Sequence, residues 1–288
     1  MLTFHIYDVF TDTPFTGNPL AIVEGADALS TAQMQTIARQ FNLSETIFVQ
    51  TPDDPAHTAK VRIFFPTAEI PFAGHPTIGC ALHLAKGAAQ VTLEEVAGLV
   101  PVTISEGTAE FTAPVLPKPL PDVPTAAKIA AAIGLSPAQL TQTPIGNFKG
   151  GPSFLFAEVT SLEALAETRL SEPAFTQATD AAGPTDAIYA YVMTGARTAQ
   201  ARMFAPHAGI GEDPATGSAT AIFAAQLNAT GHLPLDGTTT LDLKQGVEMG
   251  RPSALRLSID TEGGALTAIR VAGRAVPVAN GQIRVPRP

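Results

Sequence analysis

Apolar and polar positions alternate with a period near two at the start of the chain, so Thr3 to Phe10 and Leu20 to Val23 read as strands. They flank a turn-rich stretch whose tight point is Gly17-Asn18-Pro19. The period then lengthens. Ser30 followed by Gln33 matches a capping box, and the helix it starts runs to about Phe41, with Met34, Ile37, Ala38 and Phe41 on one stripe. A loop from Asn42 to Glu45 leads into a strand at Thr46 to Val49, and Val61 to Phe65 is another. Pro66 to His75 is irregular, and Pro76 to Lys86 reads as a helix closed by Gly87. Strands near Val91–Leu93, Val100–Ile104 and Ala109–Thr112 precede Pro114, Pro117, Pro119, Pro121 and Pro124, the best candidate for an inter-domain connection.

The second half opens with a helix from Ala126 to Ile133, stopped by Gly134, and then alternates strand and helix as the first does. Phe154–Val159, Ala187–Met193 and Ala201–Phe204 have strand patterns, Pro214 to Asn228 a helical one, and the tail from Thr239 is several short strands broken by glycine. The expected class is α+β with antiparallel-rich sheets.

The two halves also resemble each other. Arg62-Ile-Phe-Phe-Pro-Thr-Ala-Glu-Ile70 lies on Arg202-Met-Phe-Ala-Pro-His-Ala-Gly-Ile210 at an offset of 140, and His75-Pro76-Thr-Ile-Gly79-Cys-Ala81 lies on Asp213-Pro214-Ala-Thr-Gly217-Ser-Ala219 at 138. Two linked matches in one order indicate two fused copies of one domain, because the period is far too long for a solenoid. In each copy a polar residue precedes a proline and a helix of small residues, the pattern of an N-cap followed by Pro at the first helical position. Asp213 is a good cap and that alone explains it, whereas His75 is a poor one and points to chemistry. If the halves face each other about a pseudo-twofold axis, two helix N-termini converge on one cleft and offer N–H groups and partial positive charge to an anion. Ser44-Glu45-Thr-Ile47 also lies on Thr185-Asp186-Ala-Ile188 at an offset of 141, which makes Asp186 the counterpart of Glu45.

Composition removes several alternatives. With 45% hydrophobic and 15% charged residues the 288-residue chain folds, and its length favours two domains. The net charge of −9 disfavours a nucleic-acid partner. No apolar run spans a membrane and the N-terminus lacks an export pattern, so a soluble cytoplasmic protein is expected. Cys80 is the only cysteine, which excludes an intrachain disulfide and any two-thiol chemistry, and the six scattered histidines show no zinc spacing, so no metal is expected. His83 and His207 read as surface or packing residues, and Arg62 and Arg202 as paired structural arginines on equivalent strands.

Gly17-Asn-Pro19, Asn42-Leu-Ser-Glu45, Phe72-Ala-Gly-His-Pro76, Glu212-Asp-Pro-Ala-Thr-Gly-Ser218 and Gly246-Val-Glu-Met-Gly-Arg-Pro-Ser253, in this order, resemble the PhzF family of phenazine biosynthesis. The resemblance implies two pseudo-symmetric domains, each a mostly antiparallel sheet or barrel wrapped around a central helix as in diaminopimelate epimerase. They would cover 1–115, with 279–288 packing there, and 125–278. It further implies a homodimer and a cofactor-independent isomerase that moves a proton within a small unsaturated carboxylic acid, such as trans-2,3-dihydro-3-hydroxyanthranilate. On it, Glu45 is the acid/base, His75 and Asp213 bind and polarise the substrate, and Asn18, Ser44, Gly74, Gly217 and Ser218 complete the pocket. Taken alone, Glu45 reads as a solvated loop acid and Ser218 as a serine bonded to its own helix. The alternatives are an epimerase or racemase of a small acid, and a non-catalytic binding protein.

Overall fold

The computed structural model describes residues 1–185 and 187–287, so the pairing of Glu45 with Asp186 falls on a residue outside the described ones. The first half runs β1 (Leu2–Val9), β2 (Asn18–Val23), α1 (Thr31–Phe41), β3 (Glu45–Gln50), β4 (Ala59–Phe64), β5 (Glu69–Ile70), α2 (Gly74–Ala85), β6 (Gln90–Glu95), β7 (Gly98–Ser105) and β8 (Thr108–Thr112). The capping box at Ser30 forms, with the Gln33 amide reaching back to the Ser30 N–H, and α1 ends at Phe41. Two boundaries differ in a way that matters. Glu45 is the first residue of β3, paired with Leu20, where a loop residue was expected, and α2 begins at Gly74, one residue ahead of His75.

The second half follows with β9 (Lys118–Pro119), α3 (Ala126–Ala132), β10 (Gly146–Lys149), β11 (Ser153–Glu158), α4 (Leu162–Glu167), α5 (Ala174–Asp180), β12 (Ile188–Gly195), β13 (Thr198–Ala205), β14 (Ile210–Asp213) and α6 (Gly217–Ala229). The tail holds β15 (Gly237–Gln245), β16 (Ser253–Glu262), β17 (Ala265–Gly273) and β18 (Ala275–Ile283). Each of these is nine or ten residues long, where short strands were expected. The glycines there mark hairpin turns such as Gly263-Gly264, both with positive φ, and the alternating burial of β15 continues unbroken between them.

The duplication is visible in how the strands pair. In the first half β1–β2 is antiparallel, β2–β3 parallel across α1, β3–β4 antiparallel, β4–β6 parallel across α2, then β6–β7 and β7–β8 antiparallel. The second half repeats that series as β10–β11, β11–β12 across α4 and α5, β12–β13, β13–β15 across α6, β15–β16 and β16–β17. Each half also carries a short antiparallel spur, β5 on β4 and β14 on β13. The halves join edge to edge through β8 and β17, and β18 crosses over to pair with β1.

The repeated arginines obey the same symmetry. Arg62 grips Glu69 and Arg202 grips Glu212, and each guanidinium sits 5.3 Å above a phenylalanine two residues on, Phe64 or Phe204. Both are structural, as the sequence indicates.

Each curled sheet closes around one helix. The first eight residues of α2 are buried, as are ten of the thirteen in α6, which explains their small and apolar composition. A shared core runs through both, from Val9, Ile78 and Phe111 to Phe156, Tyr189 and Phe223. The helices meet end to end. A Cβ built on Gly74 would stand 3.1 Å from the Gly217 Cα, and one on Gly217 3.1 Å from the Gly74 Cα, so the backbones touch where a side chain would separate them.

Candidate active site

The strand order determines which side chains reach that junction. Parallel strands β2 and β3 start side by side, with Leu20 opposite Glu45, and so deliver Asn18 and the Ser44-Glu45 pair from the same end. β14 ends at Asp213, next to the start of α6, and α2 carries His75 in its first turn. Glu45, His75 and Asp213 are thereby brought together and are 8%, 2% and 4% exposed. His75 Nδ1 lies 2.8 Å from Glu45 Oε2, an ion-pair contact.

Asp213 is held by three donors. Asn18 Nδ2 donates to Oδ1 at 2.8 Å, Ser44 Oγ to the same oxygen at 3.0 Å and Thr216 Oγ1 to Oδ2 at 2.6 Å. Asn18 also donates to the Ala215 carbonyl at 2.9 Å. Sequence reasoning missed Gln245, which is fully buried. Its amide donates to the Asp213 carbonyl at 2.7 Å and to Thr216 Oγ1 at 2.9 Å, and accepts from the Thr216 N–H at 3.2 Å. Its only sequence signal is an amide in an otherwise alternating strand, 32 residues beyond Asp213. Arg251 was also missed as a residue, although its motif was singled out. It pairs with Asp8 and donates to the Thr16 and Gly17 carbonyls, fastening the Gly17-Asn18-Pro19 turn, where Gly17 has φ +68°.

Neither polar residue before the helices is an N-cap, contrary to expectation. Ala73 occupies that position in α2 and Thr216 in α6, with no side-chain cap at either. His75 sits inside the first turn, and the Asp213 carboxylate is already engaged by Asn18, Ser44 and Thr216. The helix-end N–H groups at Gly74, Gly217 and Ser218 therefore face the junction without side-chain caps of their own. Ser218 is half-buried, the most open residue in the first two turns of α6.

Burial sets the charge states. Burial and the Glu45 charge push the Asp213 carboxyl up to about 6, against the opposing influence of His75 and the two hydroxyls. Burial by itself would lower His75, but the Glu45 charge and contact, with Asp213 and the Pro19 carbonyl behind them, raise it above its ordinary value. A carboxyl whose folded pKa is raised stabilises the fold below its unfolded pKa and loses that contribution as pH rises through the folded value. The wild type should therefore lose ground against the D213N variant between about pH 4 and pH 7, by on the order of 2–3 kcal/mol at most. Urea unfolding of both at the two ends of that window checks it, and parallel pH dependence would remove Asp213 as the titrating group.

A groove of about 880 Å³ lies elsewhere, lined by Thr11, Lys244, Ser253, Arg256 and Arg274 among others. It contains none of the three clustered residues. Cys80, inside α2, is fully buried, and burial raises its thiol well above the ordinary range, which disqualifies it as an acid or base at neutral pH.

Two curled sheets, each closed around a central helix, make a diaminopimelate epimerase-like fold. The sequence model of the family described as phenazine biosynthesis-like protein matches residues 7–281. The chain is 40% identical to an uncharacterized isomerase of Mesorhizobium japonicum, over 96% of this chain and 97% of that one. It is 33% identical to the trans-2,3-dihydro-3-hydroxyanthranilate isomerase of Pseudomonas fluorescens, over 98% of this chain and 99% of that one. The crystal structure of a PhzF-family phenazine biosynthesis protein of Bacillus anthracis superposes with a TM-score of 0.89 over 99% of both chains at 24% identity. The chain belongs to the PhzF family and is an isomerase of that family. Among the described residues no helix is long and apolar enough to cross a membrane.

Proposed function

We propose that the chain moves a proton within a small unsaturated carboxylic acid, with Glu45 as the group that carries it. The substrate class is that of trans-2,3-dihydro-3-hydroxyanthranilate, on which the Pseudomonas fluorescens relative acts by name. The observation that carries the reading is the placement of Glu45 against His75 at the point where α2 and α6 meet, both of them buried. In the reaction one C–H bond breaks to Glu45, the electron pair moves through the conjugated system, and a C–H bond forms at another carbon as Glu45 returns a proton. Composition and oxidation level are unchanged. His75 and the helix-end N–H groups stabilise the anion that develops as Glu45 takes the proton. Asp213, with Asn18 and Ser44, orients the substrate amine or hydroxyl, and the N–H groups at the helix ends, Gly74, Gly217 and Ser218, receive its carboxylate.

The proposal extends to organisation: domains at 1–115 with 279–288, and at 125–278, in a cytoplasmic homodimer without nucleic-acid partners. Incubation with trans-2,3-dihydro-3-hydroxyanthranilate and related unsaturated acids, followed by proton NMR, tests the activity. A shifted double bond is expected. Inversion at one carbon without a shift would favour an epimerase, and no change with any of them would remove the assignment.

A further inference from the structure

On the opposite part of α2 a second group of titratable side chains converges that the proton transfer does not use. His5 and Tyr7 are two apart on β1 and so face the same side of the strand, toward α2. His83, two turns along α2 from His75 and about 12 Å away by helical rise, sits over both, its ring centroid 4.4 Å from that of His5 and 5.4 Å from that of Tyr7. Glu24, just past the end of β2, is anchored by its N–H to the Thr3 carbonyl at 3.0 Å. Its Oε1 lies 2.7 Å from His83 Nε2 and 3.5 Å from His5 Nε2. These residues are 19 and 59 positions apart in sequence, which is why no ligand spacing shows in the chain.

We infer that His5, Glu24 and His83 form a binding site for a divalent transition-metal ion of the Zn²⁺ type. Two imidazoles and one carboxylate are a recognised ligand set for such ions, with one position left for water. The three donor atoms lie within 4.8 Å of one another. In a tetrahedral site with bonds of about 2.0–2.1 Å the donors stand about 3.3 Å apart, so shifts of well under 1.5 Å in flexible side chains suffice. The supporting shell is present as well. Tyr7 Oη lies 3.1 Å from His83 Nδ1, and if His83 is protonated at Nδ1 this bond fixes the tautomer that turns Nε2 toward Glu24. All three ligands are only partly buried, so an ion can enter from solvent.

The surrounding charges are compatible with this. Glu24 brings a carboxylate against both imidazoles, which suits a cation held between them. Lys86, just past the end of α2, also acts on Glu24, and its positive charge opposes binding. The ion would tie β1, the end of β2 and α2 together far from the helix junction, as a structural clamp separate from the proton transfer.

The test is calorimetric titration of the full chain, stripped with a chelator, with ZnCl₂ at pH 7.5, repeated with CoCl₂ to read the visible bands of a low-coordinate nitrogen and oxygen site. One equivalent per chain is expected, with a rise in melting temperature. His5→Ala and Glu24→Gln should each weaken binding at least tenfold, and Tyr7→Phe by a smaller factor, whereas His232→Ala should leave it unchanged. Lowering the pH to 5.5 should weaken binding by about tenfold or more as the imidazoles protonate. Failure to bind below about 1 mM, or binding that survives both His5→Ala and Glu24→Gln, overturns the inference. These two variants leave α2 untouched, so the result does not depend on whether His83→Ala folds.

Discussion

Glu45→Gln is expected to lower isomerase turnover by roughly 10³-fold while leaving the fold intact. Glutamine has the shape of glutamate and takes its place at the start of β3, opposite Leu20, but it can neither accept nor return the proton. The same change removes the anion 2.8 Å from His75 Nδ1, which is the main reason the imidazole is raised. His75 in the variant should therefore titrate at lower pH than in the wild type, and the stability that its raised value contributes at low pH should shrink. Proton NMR of the imidazole across pH 5 to 9 reads the first effect, and the rate of product formation reads the loss of turnover. Asp186, matched to Glu45 by the internal repeat alone, serves as the control: Asp186→Asn should keep turnover near that of the wild type. Equal loss in both variants would contradict a single acid/base.

Gly217→Val should damage both stability and turnover by acting on the helix junction. The first atom of the new side chain would lie 3.1 Å from the Gly74 Cα and 3.4 Å from the Phe10 ring, and the two branches beyond it have nowhere to go without parting the helices. Overpacking of this kind costs about 1–3 kcal/mol. A shift of about 1 Å between the α2 and α6 N-termini, which carry the groups that must meet one substrate, should cost a further factor of about 10² in turnover. Urea denaturation gives the first quantity and the rate measured well below the unfolding transition gives the second. Gly211→Ala is the matched control, because an added Cβ there meets nothing within 4 Å, and it should stay within about 0.5 kcal/mol of the wild type.

Much of this arrangement could be read from residues, and the parts that could not share a cause. Elements with strong local signals came through: the capping box at Ser30, the strand around Val61, and the two small-residue helices, whose composition reflects enclosure by sheet. The repeat was legible because duplicated strands must rebuild the same contacts, down to each arginine above its phenylalanine. The expected caps failed at both helices. A proline after a polar residue marks a helix start only approximately, and here the chain turns into α2 two residues before Pro76 and into α6 three residues after Pro214. Glu45 seemed a loop acid because local pattern says nothing of which strand lies alongside. Its burial follows from parallel pairing with β2, a contact between segments separated by α1. Gln245 and the His5–Glu24–His83 group were invisible for the same reason, being assembled by topology across tens of residues.

The claim on which the account rests is that Glu45 takes a proton from one substrate carbon and delivers it to another. The most direct measurement is to run the isomerisation in heavy water and follow deuterium at both carbons by NMR, for the wild type and for Glu45→Gln, with ligand binding measured in parallel. The account predicts that the wild type converts substrate and that the variant binds it with similar affinity but neither converts it nor exchanges either hydrogen. Exchange or conversion by Glu45→Gln at the wild-type rate would contradict it.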